Sequence, residues 1–423
     1  MDIQTKCVQA GYEPKNGEAR VLPLYQSTTY MYETPEQLAN LFDLSEKGHI
    51  YSRISNPTVS AFEEKINALE GGVGALACSS GLAAITLAVL NVCNAGDNII
   101  SLSTVYGGTF NLFNVTLKKY GITTKFVAPN ATYEEIEKLI DDNTKIIYCE
   151  SLANPNMNIA DFDMLSSLSK NYGILFFVDN TLTTPIICKP IEHGANIVLH
   201  STSKYIDGHA SCIGGMIVDG GNFDFKGNKR YPQFNTPDES YHGLVYTSVA
   251  PSSFIVKARV QMMRDLGACM SPFTAYLTNL NAETLHLRMQ KHSENAMLCA
   301  EMLKNHPNVE WVKYSGLCDD ENYDLARKYF LGGLNSGMVV FGIKGGREAC
   351  NQFMKALKLI KIVTHIADAR TCVLHPATTT HRQLSDEQLI KCGISDNLVR
   401  LSVGIECGAD IVRDLENALD SIN

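Results

Sequence analysis

Between residue 71 and about residue 220, short β-rich runs alternate with helical stretches, and this alternation limits the possible folds more than any other feature of the chain. The runs are Asn98–Leu102, Thr124–Val127, Lys145–Tyr148, Ile174–Val178, Asn196–Leu199 and Gly215–Val218. Helical patterns lie between them, for example Tyr133–Ile140 and Asp163–Tyr172. Parallel strands cannot be joined by a tight hairpin; they need a crossover, usually a helix. Strand, helix, strand in succession therefore predicts an α/β fold, a three-layer domain around a mainly parallel sheet.

The flanking segments have other patterns. Residues 1–50 read as an irregular arm, interrupted by Pro14, Gly17, Pro23 and Pro35. A helix is predicted from Pro57 to Leu69, ending at Gly71-Gly72. Residues 221–250 are polar and aromatic, contain Pro232 and Pro237, and read as a long surface excursion. Helices are predicted again over Phe254–Leu266, Ala275–Asn279 and Glu283–Lys304. A smaller α/β set closes the chain, with strands Met338–Phe341 and Val399–Val403 and helices Arg347–Leu357 and Ile411–Leu419. The expected division is an arm (1–50), a large domain (51–255) and a C-terminal small domain (256–423).

Composition excludes several classes. With 36 basic against 45 acidic residues the net charge is −9, which gives no electrostatic reason to expect nucleic acid or an anionic membrane as partner. No apolar stretch approaches the roughly 20 residues that span a bilayer. The opening Met1–Lys6 has an early acid and no apolar core, so no secretory signal is expected and the reading is cytoplasmic. The 13 cysteines are scattered, without a Cys-x-x-Cys pair, and read as reduced thiols. No metal site is expected: there is no His-Glu-x-x-His, and His375 and His381 are not at ligand spacing.

The chemistry is suggested by the residues that come directly after two of the apolar runs. Ile174–Val178 leads straight into Asp179-Asn180-Thr181, and Asn196–Leu199 into His200-Ser201-Thr202-Ser203-Lys204. Ligands of open α/β sheets lie at the carboxyl ends of strands, so Asp179 and Lys204 are expected to point into one crevice. A carboxylate that keeps a pyridinium nitrogen protonated and a lysine that bonds an aldehyde are what pyridoxal phosphate requires. Ser79-Ser80-Gly81-Leu82, opening an apolar helix, offers a phosphate cradle, to which Ser201 and Ser203 could add hydroxyls. Tyr106, beside Gly107 and Gly108, can lie flat over a ring. Arg400, in an apolar strand, suits either a substrate carboxylate or a buried ion pair.

Two motifs are decoys. Gly72-x-Gly74-x-x-Ala77 resembles a dinucleotide fingerprint, but a helix rather than a strand precedes it. Ser201-x-x-Lys204 with Ser395-Asp396-Asn397 resembles an acyl-serine hydrolase, but the chain has no Lys-Thr-Gly after it.

Taken in order, the motifs Tyr51-Ser-Arg-Ile-Ser-Asn-Pro-Thr58, Leu69-Glu-Gly-Gly72, Ser80-Gly81, Tyr106-Gly-Gly-Thr109, Ala153-Asn-Pro-Asn-Met157, Val178-Asp-Asn-Thr181, Ser201-Thr-Ser-Lys-Tyr205, His375-Pro-Ala377 and Val399–Glu406 resemble the Cys/Met metabolism family of pyridoxal-phosphate enzymes (fold type I) almost end to end. The resemblance implies that Lys204 bonds the cofactor and moves protons, Asp179 pairs with the ring nitrogen and Tyr106 stacks on the ring. It implies Ser80, Gly81, Leu82, Ser201 and Ser203 around the phosphate and Asn154 near the ring hydroxyl. Tyr51 and Arg53 are implied to reach the phosphate of a neighbouring subunit, Tyr51 also to border the substrate, and the assembly to be a homotetramer of site-sharing dimers. Arg400 is implied to clamp the substrate carboxylate.

The overall length and the 221–250 segment look like the O-acetylhomoserine sulfhydrylase branch, implying γ-replacement of acetate by sulfide or methanethiol. Methionine γ-lyase and cystathionine γ-synthase chemistry are the alternatives, although γ-lyases typically carry Cys where Gly108 stands. One departure stands out. Where relatives show Ser or Asn, any residue, Gly and Asp, this chain reads His365-Ile366-Ala367-Asp368, placing His365 beside the expected substrate carboxylate.

Overall fold

The computed structural model describes residues 1–380, 382 and 393–422. The apolar runs pair into a seven-stranded sheet made of β1 (Gly74–Cys78), β2 (Asn98–Leu102), β3 (Thr123–Val127), β4 (Thr144–Glu150), β5 (Leu175–Asp179), β6 (Ile197–His200) and β7 (Gly215–Asp219), in the order β1-β7-β6-β5-β4-β2-β3. β2 to β6 pair in parallel, while β7 runs antiparallel to both β6 and β1. Six strands thus share one direction, and their carboxyl ends form one edge.

Side chains alternate across the sheet because successive Cβ atoms point to opposite faces. Phe176 and Val178 of β5 enter one apolar core; Leu175 and Phe177 enter the other. Both faces are covered, as a parallel sheet requires, which is why β4 and β5 read as nearly continuous apolar runs rather than alternating ones. The helix Pro57–Glu70 starts from an Asn56 cap, ends at the left-handed Gly71 and contributes Phe62, Ile66 and Leu69 to the first core. The helix Gly81–Val92 fills the second core with Ile85, Val89 and Val92.

Three expectations are corrected. β1 is not predicted by the sequence pattern, because Gly-Ala-Leu-Ala-Cys lacks the β-branched residues that mark a strand. The arm is not wholly irregular: Ile3–Gln9 forms a helix whose Cys7 is buried against Pro57–Glu70, and Pro35–Phe42 forms another under a Thr34 capping box. The 221–250 segment is not a surface excursion. Its Phe225, Tyr231, Phe234 and Tyr246 are buried in the second core. The Tyr231 hydroxyl donates to the Lys145 carbonyl at 2.5 Å and accepts from the Leu175 amide at 2.9 Å, tying the segment to the starts of β4 and β5. Polar spacers between these rings conceal their shared apolar face.

The C-terminal part forms a second sheet from β8 (Val309–Lys313), β9 (Met338–Ile343), β10 (Lys361–Ile362), β11 (Cys372–Leu374) and β12 (Leu398–Ser402), in the order β10-β11-β12-β9-β8. Helices Leu285–Asn305, Gly346–Ala356 and Gly408–Asp420 share its core, through residues such as Cys299, Phe353 and Leu415. No helix among the described residues is long and apolar enough to cross a membrane.

Candidate active site

A cavity of about 680 Å³ opens at the carboxyl edge of the large sheet. Its lining includes Ser80, Gly81, Leu82, Tyr106, Asn154, Asp179, Ser201, Ser203, Lys204, His365 and Arg400, so the sequence-predicted residues meet in one place. Tyr51 and Arg53 do not line it. Tyr51 is exposed, and Arg53 lies over the Tyr51 ring and donates to the Arg264 carbonyl.

Asp179 ends β5. Its Oδ1 accepts from the Thr181 amide at 3.0 Å and the Thr181 hydroxyl at 2.5 Å, and its Oδ2 from the Tyr148 hydroxyl at 3.4 Å. Burial drives this carboxyl upward in pKa, against the pull of Thr181, His200 and Tyr148. The Thr181 hydroxyl also accepts from the Ser201 amide at 2.8 Å, joining Asp179 to the loop that carries Lys204. Behind that loop, His200 Nε2 lies 2.6 Å from Glu70 Oε1, and both side chains are fully buried.

Lys204 is largely withdrawn from solvent, and its ammonium lies near Arg400. Both effects disfavour the charge and lower its pKa to about 8. A lysine of this kind supplies the neutral amine that bonding to a carbonyl requires. Its Nζ is 3.4 Å from His365 Nδ1.

The segment expected to cradle a phosphate opens a helix at the cavity. Ser80 caps the helix, accepting the Ala83 amide at 3.1 Å on its hydroxyl and the Ala84 amide at 3.0 Å on its carbonyl. The first amides of a helix have no intrahelical partner, so those of Gly81 and Leu82 remain for an anion. Approach is close here: a Cβ on Gly81 would come within 2.7 Å of the Ser201 Cβ. Ser203 is already committed, since its hydroxyl accepts from the Gly214 amide at 3.0 Å and lies 3.3 Å from the Gly214 carbonyl.

Tyr106 is 54% exposed, and its ring folds over Gly108, where a Cβ would collide with the ring edge. Its amide donates to Glu150 Oε1 at 2.6 Å. The sequence reading missed Glu150, which ends β4 opposite Asp179 and lines the cavity. Burial and the neighbouring Asp179 charge raise its carboxyl well above the usual range, while the Tyr106 and Asn154 amides pull it down. A glutamate closing an apolar strand looks like an ordinary solvated residue at a strand end; only its pairing opposite Asp179 in the sheet shows otherwise.

Arg400 projects from β12, with Nη2 donating to the Thr364 carbonyl at 3.2 Å. Arg400 Nε, Asn154 Oδ1 and His365 Nε2 are buried without a protein partner, and all three residues line the cavity. Buried polar atoms are rarely left unpaired, so this set fits a cavity built for a polar ligand such as pyridoxal phosphate. Among the described residues no group of three His, Cys, Asp or Glu could hold a metal ion; His381 lies outside them.

The pattern of the Cys/Met metabolism PLP-dependent enzyme family matches residues 4–420. The chain belongs to this family. Relatives within it include an O-acetyl-L-homoserine sulfhydrylase of Leptospira meyeri, 43% identical over 99% of this chain and 97% of that protein. A homocysteine synthase of Schizosaccharomyces pombe is 43% identical over 99% of this chain and 98% of that protein. A solved Campylobacter jejuni structure, assigned as an O-acetylhomoserine (thiol)-lyase and holding a pyridoxyl-lysine monophosphate, superposes with a TM-score of 0.96 at 36% identity, covering 100% of both chains. The Cys/Met metabolism fold, its dependence on pyridoxal phosphate and the converging side chains thus agree.

Proposed function

We propose that the chain catalyses γ-replacement on O-acetyl-L-homoserine, exchanging acetate for sulfide or a small thiol to give homocysteine or its thioether. The observation that carries this is the convergence of Lys204, Asp179 and Arg400 on one cavity, in a chain whose full-length relatives include proteins named for this reaction.

When bound, the cofactor supplies an electron-accepting ring that makes the α- and β-protons of an amino acid acidic. The chain's own residues do the rest. The amides of Gly81 and Leu82 and the hydroxyl of Ser201 bind the phosphate. Asp179 holds a proton on the ring nitrogen, and Thr181 fixes the carboxylate for that purpose. Tyr106 covers one face of the ring, and Glu150 holds the Tyr106 backbone in place. Asn154 faces the ring hydroxyl. Arg400 binds the α-carboxylate, beside His365. Lys204 holds the cofactor until substrate arrives, then takes the α-proton and moves protons between neighbouring carbons, which makes departure of acetate from the γ-carbon possible.

We read the assembly as a homotetramer of dimers in the cytoplasm, with Tyr51 and Arg53 serving a neighbouring subunit's phosphate and Tyr51 its substrate. The division at residues 50 and 255 belongs to the same reading.

The test is a product assay with O-acetylhomoserine, with and without sulfide. Homocysteine that depends on sulfide supports the proposal. Accumulation of 2-oxobutanoate irrespective of sulfide would assign the chain to γ-elimination. Succinyl and phosphoryl esters run alongside define the acyl group.

A further inference from the structure

Two cysteines that take no part in this scheme face each other just ahead of the helix Gly81–Val92. Cys78 ends β1, and Cys269 lies between the helices Arg264–Leu266 and Pro272–Ala282; the two residues are partners in an isolated antiparallel bridge. The Ser79 amide donates to the Ala268 carbonyl at 2.9 Å. That hydrogen bond joins the flanking residues, so Cys78 and Cys269 stand opposite each other as a non-hydrogen-bonded pair, with Cα atoms about 4.5 Å apart and side chains close together. Disulfides join residues whose Cα atoms are about 4.4–6.8 Å apart. Both side chains also leave the ribbon on the same side, since both pack in the second core.

The two thiols differ in access. Cys269 is half-buried, whereas Cys78 is wholly withdrawn from solvent. Burial, with Glu63 and Cys269 nearby, pushes the Cys78 thiol up despite Arg259, so it does not react on its own. Cys269 is therefore reached from solvent and Cys78 from Cys269. Cys149 and Cys188 also lie within electrostatic reach of each other, but both are fully buried and neither faces solvent.

We propose that Cys78 and Cys269 close a reversible disulfide when low-molecular-weight disulfides prevail over free thiols. Cys269 Sγ attacks one sulfur of the small disulfide, whose S–S bond breaks. One half leaves as a thiolate and takes the Cys269 proton, and the other half stays on Cys269 as a mixed disulfide. Cys78 Sγ then attacks Cys269 Sγ, and the second half leaves with the Cys78 proton. Two cysteine thiols have lost two electrons, and the small disulfide has become two thiols. Excess thiol or sulfide runs the exchange backwards. The bond fastens the end of β1 to the 268–270 segment. Since Cys78 leads within three residues to Ser80 and Gly81, which line the cavity, it stiffens one wall of the site.

The test exposes the holoenzyme to glutathione disulfide, alkylates the remaining thiols after unfolding and maps the digest by mass spectrometry, with Cys269→Ser alongside. One cross-linked peptide pair holding Cys78 and Cys269 is expected, released by dithiothreitol and absent from the variant, while Cys149 and Cys188 stay alkylatable. The bond closes a loop of about 190 residues, so oxidised wild type should melt a few degrees above the reduced form, and Cys269→Ser should show no such rise. Cys78→Ala, which keeps a small apolar group in the core, should stop at the mixed disulfide on Cys269. A wild-type Cys269 that stays unmodified, stops at the mixed disulfide or joins another cysteine overturns the pairing. So does a Tm that is unchanged or lowered on oxidation, because the bond would then be forced on a fold not shaped for it.

Discussion

At the scale of single residues, the site is governed by what burial does to charge. Lys204 titrates near pH 8 rather than near the ordinary 10.5, because its ammonium is desolvated and faces Arg400. Its neutral fraction therefore grows as pH rises through about 8. Covalent capture of pyridoxal phosphate by apoenzyme should quicken up to that pH and level off above it, as followed by the visible absorbance of the attached cofactor. A rate still climbing beyond pH 10 would contradict the assignment. Arg400 makes a second prediction. Hydrogen bonds to a charged group are worth about 1.5–3 kcal/mol, so Arg400→Ala should raise KM for the amino acid roughly 10- to 100-fold. An effect confined to KM for the thiol would count against the carboxylate clamp. The sequence displays residues of this kind well when their type is unusual for their place: a lysine after a buried strand, an arginine inside one. Glu150 escaped because nothing in its neighbourhood along the chain is unusual, and its meaning comes from Asp179, one strand away.

Among the elements, the edge formed by strand ends does the assembling. β5 delivers Asp179 and β4 delivers Glu150, while the loop after β6 brings Lys204 and that after β1 brings Ser80. Length and apolar content made β2 to β7 readable. β1 was hidden by its small side chains, and β8, β10 and β11 by brevity or exposure. The 221–250 segment reads as a surface loop in sequence because its rings become a common face only once folded. Close packing at the cradle gives a third prediction. A methyl group on Gly81 would collide with the Ser201 side chain at 2.7 Å, and overpacking of this sort costs about 1–3 kcal/mol. Gly81→Ala should weaken pyridoxal-phosphate binding about tenfold or more, measured by titrating apoenzyme, and should lower Tm by a few degrees. Full affinity would mean that the helix and the Lys204 loop can part freely.

For the whole molecule, the position of Tyr51 and Arg53 outside the cavity of their own chain matters most. If these residues complete a neighbour's site, Arg53→Ala and Lys204→Ala variants, each inactive, should complement when mixed and reassembled. Each mixed dimer then holds one intact and one doubly damaged site, so about a quarter of all sites regain function under random pairing. No recovery would place Arg53 in its own subunit's chemistry or outside chemistry altogether. The large sheet supplies Asp179, Lys204 and the cradle, whereas His365 and Arg400 arrive from the region of the small sheet. If Arg400 clamps the substrate as proposed, warming or a mild denaturant that loosens the core shared by the two sheets will blunt the hold on the amino acid while the coenzyme is still firmly seated.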